Sequence, residues 1–403
     1  MTVFPIPNQR WMPRVTHLIS ELPEMHPRPV HLIRDIELAT YLSRQHDRTE
    51  HHLSASECET MALADLIALA DAEDLERWTT LRLGYTDPLG APWLREAAAS
   101  GYESVTSEDL VCFAGAQEAL YATLHALLAA GDHAIVVLPS YQSMETLPLG
   151  LCSVSGVALD PTTGWSLDIG AIAAAIRPNT RVVAISFPNN PTGKQLEHDR
   201  FAALVTLCRR HGIWLLSDEV YRLTERDPQH RLPNAADAYE RGISLGVLSK
   251  AYGLPGLRIG WVACRDRGLM QRVATIRQYL STCSAGPSEV LACIALKAAP
   301  QILARNRAIA EANLTRLLPF LARHEALFDC RPPEGGVVCY PRYKGIEGVE
   351  RFVTHMAEAV GVLLLPASVF RSELLDLPPD RFRIGFGRLS FGAGLEAFER
   401  ALA

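Results

Sequence analysis

The chain has 403 residues, 48% of them hydrophobic and 21% charged, with a formal net charge of -6. That composition suits a soluble globular protein large enough for two domains, and it supplies no basic field for nucleic acid. The nine cysteines are scattered without a CxxC pair, which excludes a disulfide framework or a zinc site and points to a reducing, cytoplasmic compartment.

In chain order, residues 1–50 are rich in Pro, His and Arg and read as an N-terminal arm with one short helix. The opening MTVFPIPNQRWMPRV lacks a charged region followed by an apolar one, so no signal peptide is expected. The stretch HHLSASECETMAL at 51–63 carries Ser56 and, three residues on, Glu59. That spacing predicts a helix start capped by Ser56. From about residue 60, apolar runs alternate with helical patterns. The runs are DLVCFAG (109–115), HAIVVLP (133–139), RVVAISFP (181–188), IWLLSDEV (213–220), SLGVLSK (244–250) and GWVACR (260–265). Strands buried on both faces read this way, and their alternation with helices implies a mostly parallel sheet covered on both sides. One helix, HDRFAALVTLCRRHG, closes on Gly212 just past its basic end. The large domain is placed at 51–298. A long helix beginning near 300 opens a smaller domain at 299–403. No apolar run is long and uncharged enough to span a membrane.

In open sheets of this kind, ligands sit at the carboxyl ends of the strands. Those ends carry Gly115-Ala116-Gln117, Pro139-Ser140-Tyr141, Asn189-Asn190-Pro191, Asp218-Glu219-Val220-Tyr221 and Ser249-Lys250. Lys250 is either a solvated strand end or a desolvated nucleophile that attacks a carbonyl. Asp218 either caps the next turn or pairs with a protonated ring nitrogen. Arg258 offers a planar fork suited to phosphate. The helix start after Gly115 is ordinary, or it offers backbone N–H groups to an anion. Asn190 lies in an NPTG turn, where its amide can donate to a phenolate oxygen, as the Tyr221 hydroxyl can. Tyr141 is a core tyrosine or stacks on a flat ring.

NNPTG, SDEVY and SKAYGLPGLRIGW, in that order, resemble the fold type I pyridoxal-phosphate enzymes of aminotransferase class I/II. LGYTDPLGAPWLREAAA, GAQEAL, PSYQSM and RFRIGFGR match further signatures, so the resemblance runs from about residue 50 to the end. It implies an α/β fold with a large, mostly parallel sheet sandwiched by helices and a smaller α+β C-terminal domain. It implies pyridoxal 5'-phosphate as cofactor and a homodimer with shared active sites. Lys250 would then form the internal aldimine and later shuttle a proton. Asp218 would pair with the pyridine nitrogen, Tyr221 and Asn190 would bond the ring oxygen, and Tyr141 would stack. The backbone at Gly115, Ala116 and Gln117 would hold the phosphate with Arg258, and Tyr85 would reach the neighbouring subunit's phosphate. Arg383 would grip the substrate α-carboxylate, with Asn190 beside it. Two departures stand out. A serine common in relatives is Val247 here, leaving Ser249 or Ser244 as substitutes. The glycine-containing loop of many relatives is replaced by 51–63, where Glu57 is placed to meet a polar or cationic substrate side chain.

The resemblance implies an aminotransferase working on an L-amino acid through aldimine and quinonoid intermediates. Its subgroup also contains capreomycidine synthase and related hydroxyarginine cyclases, so a lyase or cyclase performing β/γ-elimination or ring closure is the alternative. A non-catalytic regulator is the third reading, disfavoured because no DNA-binding segment is visible. Arg277 cannot be aligned securely as a clamp for a second carboxylate, which disfavours a strict dicarboxylate transaminase.

Overall fold

The computed structural model describes residues 33–45 and 49–402. The short helix expected near the N-terminus is Glu37–Gln45. The rest of the expected arm, residues 1–32 and 46–48, lies outside the described residues. An eight-stranded sheet organises the chain up to residue 263. In spatial order its strands are Leu110–Phe113, Gly260–Ala263, Gly242–Val247, Trp214–Asp218, Thr180–Ser186, His133–Leu138, Ser153–Asp160 and Ser166–Leu167. The five strands from Gly242–Val247 through Ser153–Asp160 pair in parallel. Gly260–Ala263 runs antiparallel to both of its neighbours, and Ser166–Leu167 is antiparallel at the far edge.

Side chains alternate faces along each strand, so a doubly covered strand needs apolar residues at every position. Ala134, Val136 and Leu138 enter one core with Leu120, Leu124 and Val273, from the helices Ala116–Leu127 and Arg267–Leu280. Ile135 and Val137 enter the opposite core with Phe201 and Leu204, from the helix His198–His211. That helix ends as expected, with Gly212 at φ 64° after Arg209, Arg210 and His211. Each of the six expected strands is present. Ser153–Asp160 and Ser166–Leu167 were not anticipated. The first, SVSGVALD, mixes serine and glycine with partly exposed positions, so it lacks the continuous apolar signal of its neighbours.

Beyond the helix Ala299–Arg323, a three-stranded antiparallel sheet pairs Val338–Cys339 with Phe382–Gly385, and the latter with Leu365–Pro366. Phe320, Phe328, Phe352, Phe382 and Phe398 fill its core, and Leu53, Cys58 and Tyr221 join them. His51–His52 pairs in parallel with Val362–Leu363. The segment that follows, residues 53–59, then runs along the strand Phe382–Gly385. Gly385 N donates to Leu53 O at 2.7 Å, and a Cβ on Gly385 would stand 1.6 Å from Ala55 O. Only a residue without a side chain lets these two backbones approach so closely. Gly385→Ala should therefore push the 53–59 segment away and destabilise the protein by about 2–3 kcal/mol. A thermal melt reads this as a loss of several degrees, and an unchanged melt would contradict the close packing.

Candidate functional site

Asp218 ends a central strand, and its register pairs it with Ser186 on one side and Leu245 on the other. The pairing brings the Ser186 hydroxyl to Asp218 Oδ2 at 3.4 Å, and Val220 N donates to Oδ1 at 3.2 Å. These are weak supports for a half-buried carboxylate. Burial accordingly pushes the Asp218 carboxyl up to about 6, against the opposing pull of Lys250. Lys250 lies three residues past the end of the next strand, Gly242–Val247. Burial lowers its basicity, as do Arg383 and Arg258, while Glu57 and Asp218 oppose the shift. Its Nζ donates to Ser56 Oγ at 2.8 Å. The other lysines are engaged elsewhere: Lys194 with Glu197 and Glu334, Lys297 with Asp71 and Asp74, and Lys344 with Glu325 O.

Arg383 projects from the strand Phe382–Gly385 and is 1% exposed. Its Nη1 donates to Asn190 Oδ1 at 2.9 Å and its Nη2 to Ser54 O at 2.6 Å. Its Nε is buried without a partner among the described residues, as is Ser140 Oγ. The Asn190 amide nitrogen has no hydrogen-bond partner among the described residues. Tyr221 is buried, and its hydroxyl donates to Ser56 O. Burial raises the Tyr141 hydroxyl above its ordinary value; the Arg383 charge opposes that rise and the Asp218 charge adds to it. Lys250, Asp218, Asn190, Tyr221, Tyr141 and Arg383 therefore form one cluster.

Gly115 precedes the helix Ala116–Leu127 with φ 92°, and a Cβ there would stand 2.6 Å from Arg258 Nη2. Arg258 itself adopts a left-handed backbone at φ 50° and donates through Nη2 to Ala114 O at 2.9 Å. Helix start and guanidinium thus meet, and the free N–H groups of Ala116 and Gln117 form an anion cradle beside that charge. The Gln117 side chain accepts from Ser143 Oγ. Of the two serines expected to stand in for Val247, Ser244 is consumed elsewhere: its hydroxyl donates to Glu219 and accepts from Ala236 N. Ser249 is buried with no side-chain hydrogen bond among the described residues. Tyr85 is not brought into the cluster. It is 92% exposed, near-fully solvated like Leu83 and Tyr279.

The predicted helix cap at Ser56 is not formed. The first helix after it is Leu63–Ile67, with Ala62 at its N-cap. Tertiary partners instead take the polar groups of the segment. Glu57 Oε2 accepts from Ser56 N, Glu57 pairs with Arg388, and Cys58 N donates to Lys250 O at 3.2 Å. Burial alone would raise the Glu57 carboxyl, but Lys250 and Arg388 hold it below its usual range. Sequence reasoning missed the contact of Ser56 with Lys250. Its one signal was the replacement of a glycine-containing loop by a serine-rich one.

A sequence profile of the aminotransferase class I and II family matches residues 50–396. The chain belongs to that family. It is 31% identical to capreomycidine synthase of Streptomyces vinaceus over 324 residues, covering 78% of this chain and 79% of that one. It is 32% identical to arginine–pyruvate transaminase of Pseudomonas aeruginosa over 301 residues, covering 71% and 74%. The solved structure of the PLP-dependent cyclase OrfR superposes with a TM-score of 0.81 at 27% identity, covering 94% of this chain and 98% of that one. The fold is the fold type I architecture of this family, and membership carries pyridoxal 5'-phosphate as cofactor. The cluster fits that group: a lysine of lowered basicity, a buried carboxylate lacking a cation, a free amide donor, unspent polar atoms at Ser140 and Arg383, and an anion cradle closed to any Cβ. Among the described residues, no helix is long and apolar enough to cross a membrane.

The raised Asp218 carboxyl has a consequence for stability. Between about pH 4 and pH 6 the unfolded chain has released this proton while the folded, cofactor-free chain retains it, so stability falls across that window and the penalty is complete above it. Asp218→Asn should stabilise the cofactor-free protein by about 2 kcal/mol at pH 7 and by nothing near pH 4. Melts of both proteins across pH would show the gap opening. A constant gap would mean that the carboxyl is not held protonated.

Proposed function

We propose that this chain is a PLP-dependent aminotransferase-type enzyme acting on an L-amino acid, working as a homodimer. The observation that carries the reading is the burial of the Lys250 amine in one cluster with the Asp218 carboxylate and the Arg383 guanidinium. Pyridoxal 5'-phosphate, when bound, supplies an aldehyde that condenses with amines and a ring that withdraws electrons from what it holds. Lys250 would hold it through Nζ; burial keeps more of that amine uncharged and able to attack. Once freed, the same Nζ takes a proton from the substrate and returns it. Asp218 would keep the ring nitrogen cationic, and that cation would relieve the cost of the buried carboxylate. Asn190 would donate its amide to the ring oxygen. Tyr221 would do so after its hydroxyl turns from Ser56 O, and Tyr141 would stack on the ring. Ala116 and Gln117 would offer backbone N–H groups to the phosphate, with Arg258 as the charged clamp and Ser249 in place of the serine absent at Val247.

Arg383 would bind the substrate α-carboxylate, its unspent Nε adding to the donors already aimed by Asn190. Support for a monocarboxylic substrate comes from the two other arginines near these segments. Arg388 is neutralised by Glu57 and Glu59, and Arg277 already spends Nε on Cys112 O and Nη2 on Ser284 Oγ, with its Nη1 buried and without a partner among the described residues. Because Arg388 engages Glu57, we assign Glu57 to the charge balance of Lys250 rather than to direct contact with a substrate side chain. The division into a large domain at 51–298 and a small one at 299–403 is part of the reading; the aromatic core of the C-terminal part supports it, while residues 51–59 pair and pack with that part, and Leu53, Cys58 and Tyr221 join its core. Exposed Leu83, Tyr85 and Tyr279 support a dimer in which Tyr85 serves the neighbouring subunit's site.

A second reading, a lyase or cyclase acting on an amino acid with a β or γ leaving group, is favoured by the similarity to capreomycidine synthase and to the cyclase OrfR. Incubation with candidate amino acids separates the two. A transaminase converts the cofactor to its amine form and needs an oxo-acid acceptor to turn over again. A lyase or cyclase retains the aldehyde form and needs no acceptor. Under either chemistry, Lys250→Ala should lower kcat at least about 10³-fold, and near-normal turnover would remove the lysine from the reaction. Arg383→Ala should act mainly on KM, with kcat/KM falling about 30- to 150-fold, the equivalent of about 2–3 kcal/mol of a lost charged hydrogen bond. Unchanged saturation would mean that another residue holds the carboxylate.

A further inference from the structure

We propose that Ser56 is a positioning residue for Lys250: its hydroxyl receives the amine whenever the amine is not covalently engaged and parks it in one place. The inference rests on the reading of Lys250 as the cofactor-bearing residue. The contact itself is Nζ to Ser56 Oγ at 2.8 Å, between residues 194 positions apart. What distinguishes it from a chance contact is how firmly Ser56 is held. Its backbone N donates to Glu57 Oε2, and Arg388 fixes that carboxylate. Its backbone O accepts from the Tyr221 hydroxyl. On one side, Ser54 O is gripped by Arg383. On the other, Cys58 N donates to the backbone O of Lys250 itself. Arg305 and Asn306 extend the hold, with Arg305 donating to Glu59 O and Thr60 O and Asn306 donating to Ala251 O.

Every neighbour of the hydroxyl is thus fixed by a separate element, and Ser56 is 8% exposed. A side chain whose surroundings are held from so many directions presents its hydroxyl at one point in space. A flexible lysine with four rotatable bonds gains most from such a point, since a free amine otherwise samples many rotamers. An acceptor for Nζ favours the charged amine more than the neutral one. Ser56 therefore sets both where the amine rests and how readily it gives up its proton. The charged groups around Nζ are Glu57 on the 53–59 segment, Asp218 on the central strand, Arg383 on the C-terminal sheet and Arg258 beyond the glycine-rich turn. A Ser56 variant retains all of them, so its effect can be separated from theirs.

The test is the pH dependence of reductive methylation at Lys250, using formaldehyde and a mild borohydride on the cofactor-free full-length protein and quantifying by peptide mass. Lys297 and Lys344 serve as internal controls, and a melt confirms that each variant is folded. Ser56→Ala should move the Lys250 midpoint down by about half a unit to one unit, raising its methylation about three- to tenfold at a pH below the midpoint. Ser56→Thr, which keeps the hydroxyl, should restore the wild-type profile. Superimposable profiles for wild type and Ser56→Ala, a midpoint moved upward, or a threonine variant behaving like alanine would each overturn the proposal. The functional reading fails separately, if wild-type Lys250 takes up no pyridoxal 5'-phosphate.

Discussion

The organising constraint is the burial of opposite charges at the carboxyl end of a parallel sheet. Asp218 ends one strand and Lys250 lies three residues past the end of its neighbour, both half-buried and close enough for their charges to interact. Among the described residues, Asp218 receives one weak hydroxyl contact and one backbone N–H. A carboxylate and an amine so placed are each unfavourable in charged form, and each relieves the other only in part. The arrangement makes sense as half of a larger set, with a cationic ring nitrogen for the carboxylate and an aldehyde for the amine. Under the proposed reading, the same shortfall that weakens the unliganded fold would give the site its affinity and its nucleophile.

The second constraint is the 53–59 segment, which ties the sheet to the C-terminal part. Its carbonyls take the donors of Arg383 and Tyr221, and its serine takes the donor of Lys250. Three side chains of the cluster thus spend hydrogen bonds on one segment, two on its backbone and one on its serine hydroxyl. Under the proposed reading, cofactor and substrate would draw on the same donors, which would couple occupancy of the site to the position of this segment. Gly385 makes that coupling possible by letting two backbones run almost in contact.

Much of this was legible in the sequence because apolar runs buried on both faces end abruptly in polar tails, and those tails supply the candidate cluster. Lys250, Asp218, Asn190 and the Gly115 helix start were all readable in that way. The two missed strands failed for the converse reason: SVSGVALD and its short partner sit toward an edge, partly exposed, where the run need not be apolar throughout. The cap expected at Ser56 failed because its spacing satisfies a local rule while tertiary partners supply better ones. Glu57 turns to Arg388, the Ser56 hydroxyl to Lys250, and the chain stays extended until Ala62. Contacts across almost two hundred residues leave no local trace, and Ser56 showed as a helix cap within a stretch, 51–63, that departs from the glycine-containing loop of relatives.

The most direct test of the central claim is borohydride reduction of the protein loaded with pyridoxal 5'-phosphate, followed by peptide mapping. Visible absorbance should appear on loading, vanish on reduction, and leave a phosphopyridoxyl mass on the peptide that contains Lys250 and on no other lysine. Absence of the visible band, or fixation at Lys194, Lys297 or Lys344 in its place, would contradict the account.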